Sequence, residues 1–378
     1  MENKSAAAHM GVGIIGCGNI SEIYCKNLQA FDNVTLVACA DIEIERAEKR
    51  AAQFGISGLG VGALLARDDI ELIVNLTIPD AHADVSRAIL KAGKHVYSEK
   101  PLATRRKDAR KILERARRNN LRVGGAPDTF LGGAWQTIRK LLDDGAIGKP
   151  VAATAFMLGH GPEKWHPNPD FFYQPGAGPL FDMGPYYLTA LINFFGPVAN
   201  VAAIARASFP ERIAQDGHKI PVTTPTHVAG TLEFANGALA TLVTSFDVWH
   251  SQLPRIEIYG STGTIIAPDP NLFGGEILLR SENDAKWRAL PTEFPYNDNM
   301  RGLGVADMAR SIRENTPHRA SGEMTYHVVD VMRALLKSSE RGKQIMLESK
   351  CKRPALLNQN FDNAHDLHHG KMLPESGG

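Results

Sequence analysis

Apolar residues along this chain change their rhythm once, and the change divides it. In the first third, short continuous apolar runs alternate with segments whose apolar positions recur every three or four residues. Gly11 to Ile15 reads as a buried strand ending in glycines, and Ile20, Ile23, Tyr24 and Leu28 mark the helix after it. Val34 to Ala40 is a second continuous run, closed by Asp41 and followed by a charged amphipathic helix from Glu43 to Phe54. The alternation continues through a strand at Ile70 to Leu76, a helix at Ala81 to Ala92, a strand at His95 to Ser98, a helix at Thr104 to Asn119 and a strand at Leu121 to Gly125. Strands joined by helices predict a parallel sheet wound on both faces, since parallel neighbours need crossovers.

After Pro127 the runs lengthen and hairpin turns replace helices as connectors. A helix at Ala134 to Asp144 leads to strand patterns at Pro150 to Leu158, Val198 to Ala207, Thr226 to Glu233, Ala238 to Asp247, Arg255 to Gly260 and Ile277 to Arg280. Turns at Ala235-Asn236-Gly237 and Gly260-Ser261-Thr262-Gly263 suit a large, mostly antiparallel open sheet. Helical spacing returns at Gly178 to Phe195, Gly304 to Glu314 and Thr325 to Gly342. The pattern therefore predicts an α/β chain: a disordered leader over residues 1–10, a doubly wound domain over 11–127, an α+β domain over 128–355, and a flexible tail over 356–378.

Composition narrows the partners. Lys plus Arg number 42 against 41 for Asp plus Glu, so no global field draws nucleic acid or an anionic membrane. No run approaches the roughly 18 to 20 apolar residues of a membrane helix. Cys17, Cys25, Cys39 and Cys351 form no CxxC pair or disulfide framework, which fits a reducing cytoplasm. A small-molecule partner is expected.

Gly16-Cys17-Gly18-Asn19-Ile20-Ser21 follows the first strand and opens the first helix. Its glycines let the backbone approach a pyrophosphate, which the helix N-terminus attracts; Ser21 stands where the fingerprint has a third glycine. Asp41 ends the next strand at the distance where an acidic residue takes the ribose hydroxyls. A carboxylate there repels a 2′-phosphate, so NAD is favoured over NADP, although Arg46 lies one turn away and Asp41 also suits a helix cap. Glu99-Lys100-Pro101 follows a strand at the edge where open α/β sheets bind ligands.

Gly16-Cys17-Gly18, Asp41, Pro79 with His82, and Glu99-Lys100-Pro101 together resemble the glucose-fructose oxidoreductase / inositol dehydrogenase / MocA family, over about residues 11 to 350. The resemblance implies a Rossmann domain followed by an α/β domain whose open sheet builds homodimers or homotetramers. It implies hydride transfer between NAD(H) and a carbinol or carbonyl of a sugar, polyol or keto-sugar, with Lys100 beside the nicotinamide. The cofactor set implied is Gly16, Gly18, Asn19, Ile20, Asp41, Thr77, Pro79, His82, Glu99 and Lys100. The family's D-x-G-x-H-x-x-D segment matches here at Asp182 and Gly184, but Tyr186 replaces the histidine and Thr189 the last acid. A tyrosine in that place is similar to the glucose-fructose oxidoreductase and dihydrodiol dehydrogenase branches.

Oxidising a carbinol requires a base within reach of the hydroxyl proton. A phenol ionises near pKa ~10, and a neighbouring ammonium favours its phenolate. The expected catalytic set is Tyr186 for proton transfer, Lys100 as its electrostatic partner and Asp182 as the orienting carboxylate, with Tyr187 a packing residue. Trp165 and His166, in the loop His160 to Pro167, join Lys100, Asp182 and Tyr186 as substrate-binding candidates; Trp249-His250 is a weaker pair. The basic run from Arg105 to Arg118 is interrupted by Ile112, Leu113 and Ala116 and reads as the solvated face of a helix. No metal site is expected from the tail residues His365, Asp366, His368 and His369. Two other functions fit these residues: an NAD-dependent glycosidase acting through transient oxidation, and a non-catalytic NAD- or sugar-binding regulator.

Overall fold

The structure, a computed structural model, describes residues 9–359 and 361. Its first sheet has the order β3-β2-β1-β4-β5-β6, all parallel, with strands β1 (Met10–Ile15), β2 (Val34–Asp41), β3 (Ser57–Gly60), β4 (Leu72–Asn75), β5 (His95–Ser98) and β6 (Val123–Gly125). Helices α1 (Ser21–Leu28), α2 (Ile44–Phe54), α3 (Val61–Leu65), α4 (His82–Lys91) and α5 (Arg106–Arg118) make the crossovers. This is the Rossmann arrangement, whose order reverses between β1 and β4. Ile14, Ile73 and Val74 are fully buried, as central parallel strands covered on both faces require. Edge strand β3 has no apolar run to announce it, only Ser57-Gly58-Leu59-Gly60 after the left-handed cap at Gly55.

Helix α6 (Gly133–Asp143) leads into a nine-stranded sheet. In spatial order its strands are Arg288–Leu290, Ile277–Ser281, Gly263–Ala267, Ile256–Gly260, Pro150–Leu158, Leu239–Ser245, His227–Phe234, Val198–Arg206 and Ile345–Met346. All neighbours are antiparallel except Pro150–Leu158 with Leu239–Ser245. Helices α7 (Gly178–Asp182) and α8 (Gly184–Phe195) form two pieces where the spacing predicts one, broken at Met183 with Pro185 inside the first turn of α8. Helix α9 is Leu303–Arg313; α10 is Gly322–Arg341, capped by the Ser321 hydroxyl on Met324 N and ended by left-handed Gly342. Along the other face of the sheet Ile204 and Leu239 stay exposed, at 66% and 57%.

Three boundaries differ from expectation. Met10 opens β1 with its side chain buried, so it is no part of a leader; residues 1–8 lie outside the described residues. Leu357 and Phe361 are buried against the core, so the tail segment begins docked, and its histidines lie outside the described residues. Helix α9, although late in the chain, packs on the nucleotide-binding domain: Asn33 Nδ2 donates to Ala306 O at 2.8 Å, and Arg313 pairs with Glu71. Basic helix α5 buries Ala109, Ile112, Leu113 and Ala116 and spends several arginines on ion pairs, Arg106 with Asp330 among them.

Candidate active site

The crevice begins at the turn after β1. Gly16 has φ 103°, and a Cβ there would lie 2.6 Å from the Leu76 carbonyl, so only glycine fits. Nothing lies within 4 Å of where a Cβ on Gly18 would sit, which leaves a pyrophosphate room against the N-terminus of α1. Ser21, in the third glycine's place, is buried and donates from Oγ to Gly18 O at 2.6 Å, tying helix to turn. Asn19 and Ile20 are exposed beside it.

Asp41 accepts from Cys17 N at 2.8 Å on one carboxylate oxygen and from Glu43 N at 3.1 Å on the other. The turn fastening and the helix cap are thus both made, and each oxygen keeps a lone pair for a ribose hydroxyl. Arg46 is taken up by Glu43 at 2.7 Å; Arg50, which no sequence signal singled out, reaches Gly18 O at 3.4 Å and Glu22 at 2.9 Å.

Past β4, Thr77 Oγ1 donates to Asn75 Oδ1 at 2.7 Å. The buried His82 ring bridges Thr77 O at 2.8 Å and Pro101 O at 2.7 Å, joining the loops that follow β4 and β5. Both ring nitrogens face carbonyl oxygens, which makes His82 a clasp between the two loops; burial pushes its pKa down against the raising effect of those carbonyls, and a neutral ring donates to one of them. Glu99 accepts from Tyr24 Oη and from Lys100 N, both at 2.9 Å.

Lys100 Nζ donates to Asp182 O at 2.8 Å and Oδ1 at 3.0 Å, and stands 5.3 Å from the centroid of the Tyr186 ring. Burial alone would lower the Lys100 ammonium, but Asp182, Tyr186 and Glu99 reverse this and hold it above the ordinary lysine range. Tyr186, 7% exposed, goes the other way from expectation. Burial pushes its phenol up, and the opposing pull of Lys100 and Arg301 does not overcome it. The resting group is therefore a phenol, not a phenolate. Tyr187 packs, 1% exposed, with its hydroxyl on Phe156 O.

These residues face one cavity of about 720 Å³ whose walls include Ile20, Thr77, Pro79, His82, Glu99, Lys100, Trp165, His166, Asp182 and Tyr186. Gly16, Gly18 and Asp41 lie outside its lining, at the glycine-turn end of the crevice. Trp165 is 69% exposed at the rim, edge-on to His166 at 5.5 Å. Trp249 is absent from the lining and stacks on His160, which does line it. Two further features escaped the sequence. Glu163 and Arg212, both nearly buried, pair at 3.2 Å and brace the Trp165 loop with Tyr173 and Asp247. Arg301, from the loop before α9, enters the cavity wall beside Tyr186.

Comparison with known proteins bears on this architecture. Residues 10–125 match the model of an oxidoreductase family with an NAD-binding Rossmann fold, and residues 135–266 match the GFO/IDH/MocA C-terminal domain. The dTDP-3,4-didehydro-2,6-dideoxy-alpha-D-glucose 3-reductase of Streptomyces antibioticus is 34% identical over 332 residues, 85% of this chain and 92% of that protein. The chain belongs to the Gfo/Idh/MocA oxidoreductase family. It is an enzyme that uses NAD, in a family whose named members include sugar and polyol reductases and dehydrogenases. Myo-inositol 2-dehydrogenase of Thermotoga maritima is 23% identical over 346 residues, 90% of this chain and 99% of that one. The same fold occurs in levoglucosan dehydrogenase in complex with NADH and levoglucosan, with TM-score 0.77 at 20% identity, covering 90% of this chain and 100% of that structure. Among the described residues no helix is long and apolar enough to cross a membrane.

Proposed function

We propose that this enzyme transfers hydride between NAD(H) and a carbinol or carbonyl of a sugar, polyol or keto-sugar, and that its site is set for reduction of a keto-sugar. Bound NADH supplies the hydride; the chain's residues handle position, charge and proton. Gly16 and Gly18 would admit the pyrophosphate, Asp41 the adenosine ribose, and the Thr77, Pro79 and Glu99 loops would flank the remainder. Lys100, fixed by Asp182, presents a permanent ammonium where a carbonyl oxygen gains negative charge. Tyr186 gives its phenolic proton to that oxygen as the C–H bond forms, becoming a phenolate that solvent reprotonates.

The observation that carries this reading is the Tyr186 ring 5.3 Å from the Asp182-held ammonium of Lys100, in a setting where burial pushes the phenol up. A proton donor and a cation together suit a carbonyl that becomes an alkoxide. Support comes also from the 34% identical relative, itself named a 3-reductase. Trp165 and His166 would border the substrate ring. The uncovered face of the nine-stranded sheet supports self-association, which sedimentation of the purified chain tests.

The test is nicotinamide absorbance in two directions: NADH with keto-sugars, and NAD with aldoses, inositols and glycosides, with products identified. Consumption of NADH with formation of a hydroxyl is expected. Glycoside cleavage without net NADH would replace this reading with the glycosidase, and NAD binding without any turnover would replace it with the regulator.

A further inference from the structure

Among the described residues, Arg301 is the one charged residue of the cavity wall that neither the motifs nor the mechanism above employs. Its backbone is pinned from the nucleotide-binding side. Asn27 Nδ2, on α1, donates to Asn299 O at 2.8 Å and to Arg301 O at 2.9 Å. The buried Asp128 carboxylate accepts from Gly302 N at 2.9 Å and Gly304 N at 3.0 Å at the head of α9. The guanidinium is held from the other domain: Nη2 donates to Asn271 Oδ1 at 2.6 Å and Asn271 O at 3.3 Å, and Nη1 to Asn299 Oδ1 at 2.7 Å. All these acceptors are neutral, so they fix the group without cancelling its charge. So fixed, it lines the same cavity wall as Tyr186 and Asn271, and its charge favours the Tyr186 phenolate.

A guanidinium has only donors, and so has the ammonium of Lys100. A phenolic oxygen that meets either of them can only accept from it. An accepting phenol keeps its own hydrogen for another partner, and Tyr186 faces the cavity.

We infer that Arg301 is a positioning residue for Tyr186: its guanidinium donates to the phenolic oxygen, turns the phenolic hydrogen toward the substrate oxygen, and stabilises the phenolate left when that proton departs. The inference rests on the reading of Tyr186 as the proton-transfer group. The charged groups that face the phenol are Lys100 and Glu99 after β5 and Arg301 before α9, with Asp182 behind Lys100; those that face Arg301 include Asp128. Burial disfavours a phenolate here, which makes a second cation consequential.

The test needs no substrate. Ultraviolet titration of tyrosinate in the parent, Tyr186→Phe, Arg301→Met and Arg301→Gln isolates the Tyr186 contribution as the difference from Tyr186→Phe. NAD binding, followed by fluorescence, reports that each variant is folded. In both arginine variants the Tyr186 signal is expected about one to three pH units higher than in the parent, or gone from the accessible range. Arg301→Lys, which keeps a donor and a charge, should restore it partway. Turnover on whichever sugar the parent accepts should fall on the order of 10²-fold in Arg301→Gln, the scale of losing one oxyanion donor. An NAD-competent Arg301→Gln with the parental tyrosinate curve overturns the inference; should Arg301→Met lose NAD affinity, Arg301→Gln decides alone. Full turnover in Tyr186→Phe sinks the underlying reading instead, whatever Arg301 does.

Discussion

The two ends of the crevice are built by different rules. At the glycine turn the critical contacts are short in sequence: Cys17 N reaches Asp41 across 24 residues, and Ser21 reaches Gly18 across three. Backbone groups do most of the work, so the requirement falls on residue types that permit a conformation, and a glycine with φ 103° can be nothing else. At the proton-transfer end Lys100 meets Asp182 across 82 residues, and Tyr186 and Arg301 come from two further segments. Side-chain charge decides everything there. The first end tolerates little change in shape, the second little change in charge.

The sharpest break in that comparison is Tyr186→Phe. It leaves shape and burial alone and removes one proton, so turnover should fall about 10²- to 10⁴-fold while NAD affinity holds. Steady-state kinetics beside a fluorescence titration measures both. A parallel loss of NAD affinity would mean that the two ends are not separable in this way.

The same contrast governs what could be read beforehand. The turn, Asp41 and Lys100 were legible because each follows a strand at fixed spacing, and spacing survives in a linear string. Asp182 and Tyr186 were legible only through the family's segment. Arg301 left no trace, since a lone arginine in a loop gains meaning only when α9 packs back on the first domain. Glu163 and Arg212 were silent for the same reason. The charge state of Tyr186 was expected in the wrong direction: the sequence places Lys100 nearby but does not show how thoroughly α8 is buried, and desolvation wins. Strand β3 was missed because two of its four residues are glycine, which carries no apolar pattern.

Asp128, 1% exposed, sits where α9 meets the first domain, and burial pushes its carboxyl up from 3.8 to about 6 against the lowering effect of Gly304 and Gly302 N–H. Between those values the folded protein keeps a proton that the unfolded chain has released. Stability therefore falls as pH rises from about 4 to about 6, and the deficit persists above, on the order of 3 kcal/mol at most from this group. Asp128→Asn retains an acceptor for both amides and cannot ionise, so it should flatten that step. Urea denaturation on either side of the window measures it; equal slopes in parent and variant would show that Asp128 is ordinary in the fold.

The smallest effect is expected where shape rules. Asp41→Asn keeps the size of the side chain and one oxygen for Cys17 N, so the turn should persist, but the second acceptor and the charge are lost. A hydrogen bond to a charged group contributes about 1.5–3 kcal/mol, so NADH affinity should weaken roughly ten- to hundredfold. Removing the carboxylate also removes its repulsion of a 2′-phosphate, so NADPH should weaken less than NADH or tighten. The ratio of the two dissociation constants is thus more telling than either alone. A parent that already binds both cofactors equally would confine Asp41 to fastening Cys17 and capping α2, and the preference for NAD would then have to come from the space around Arg46 and Arg50.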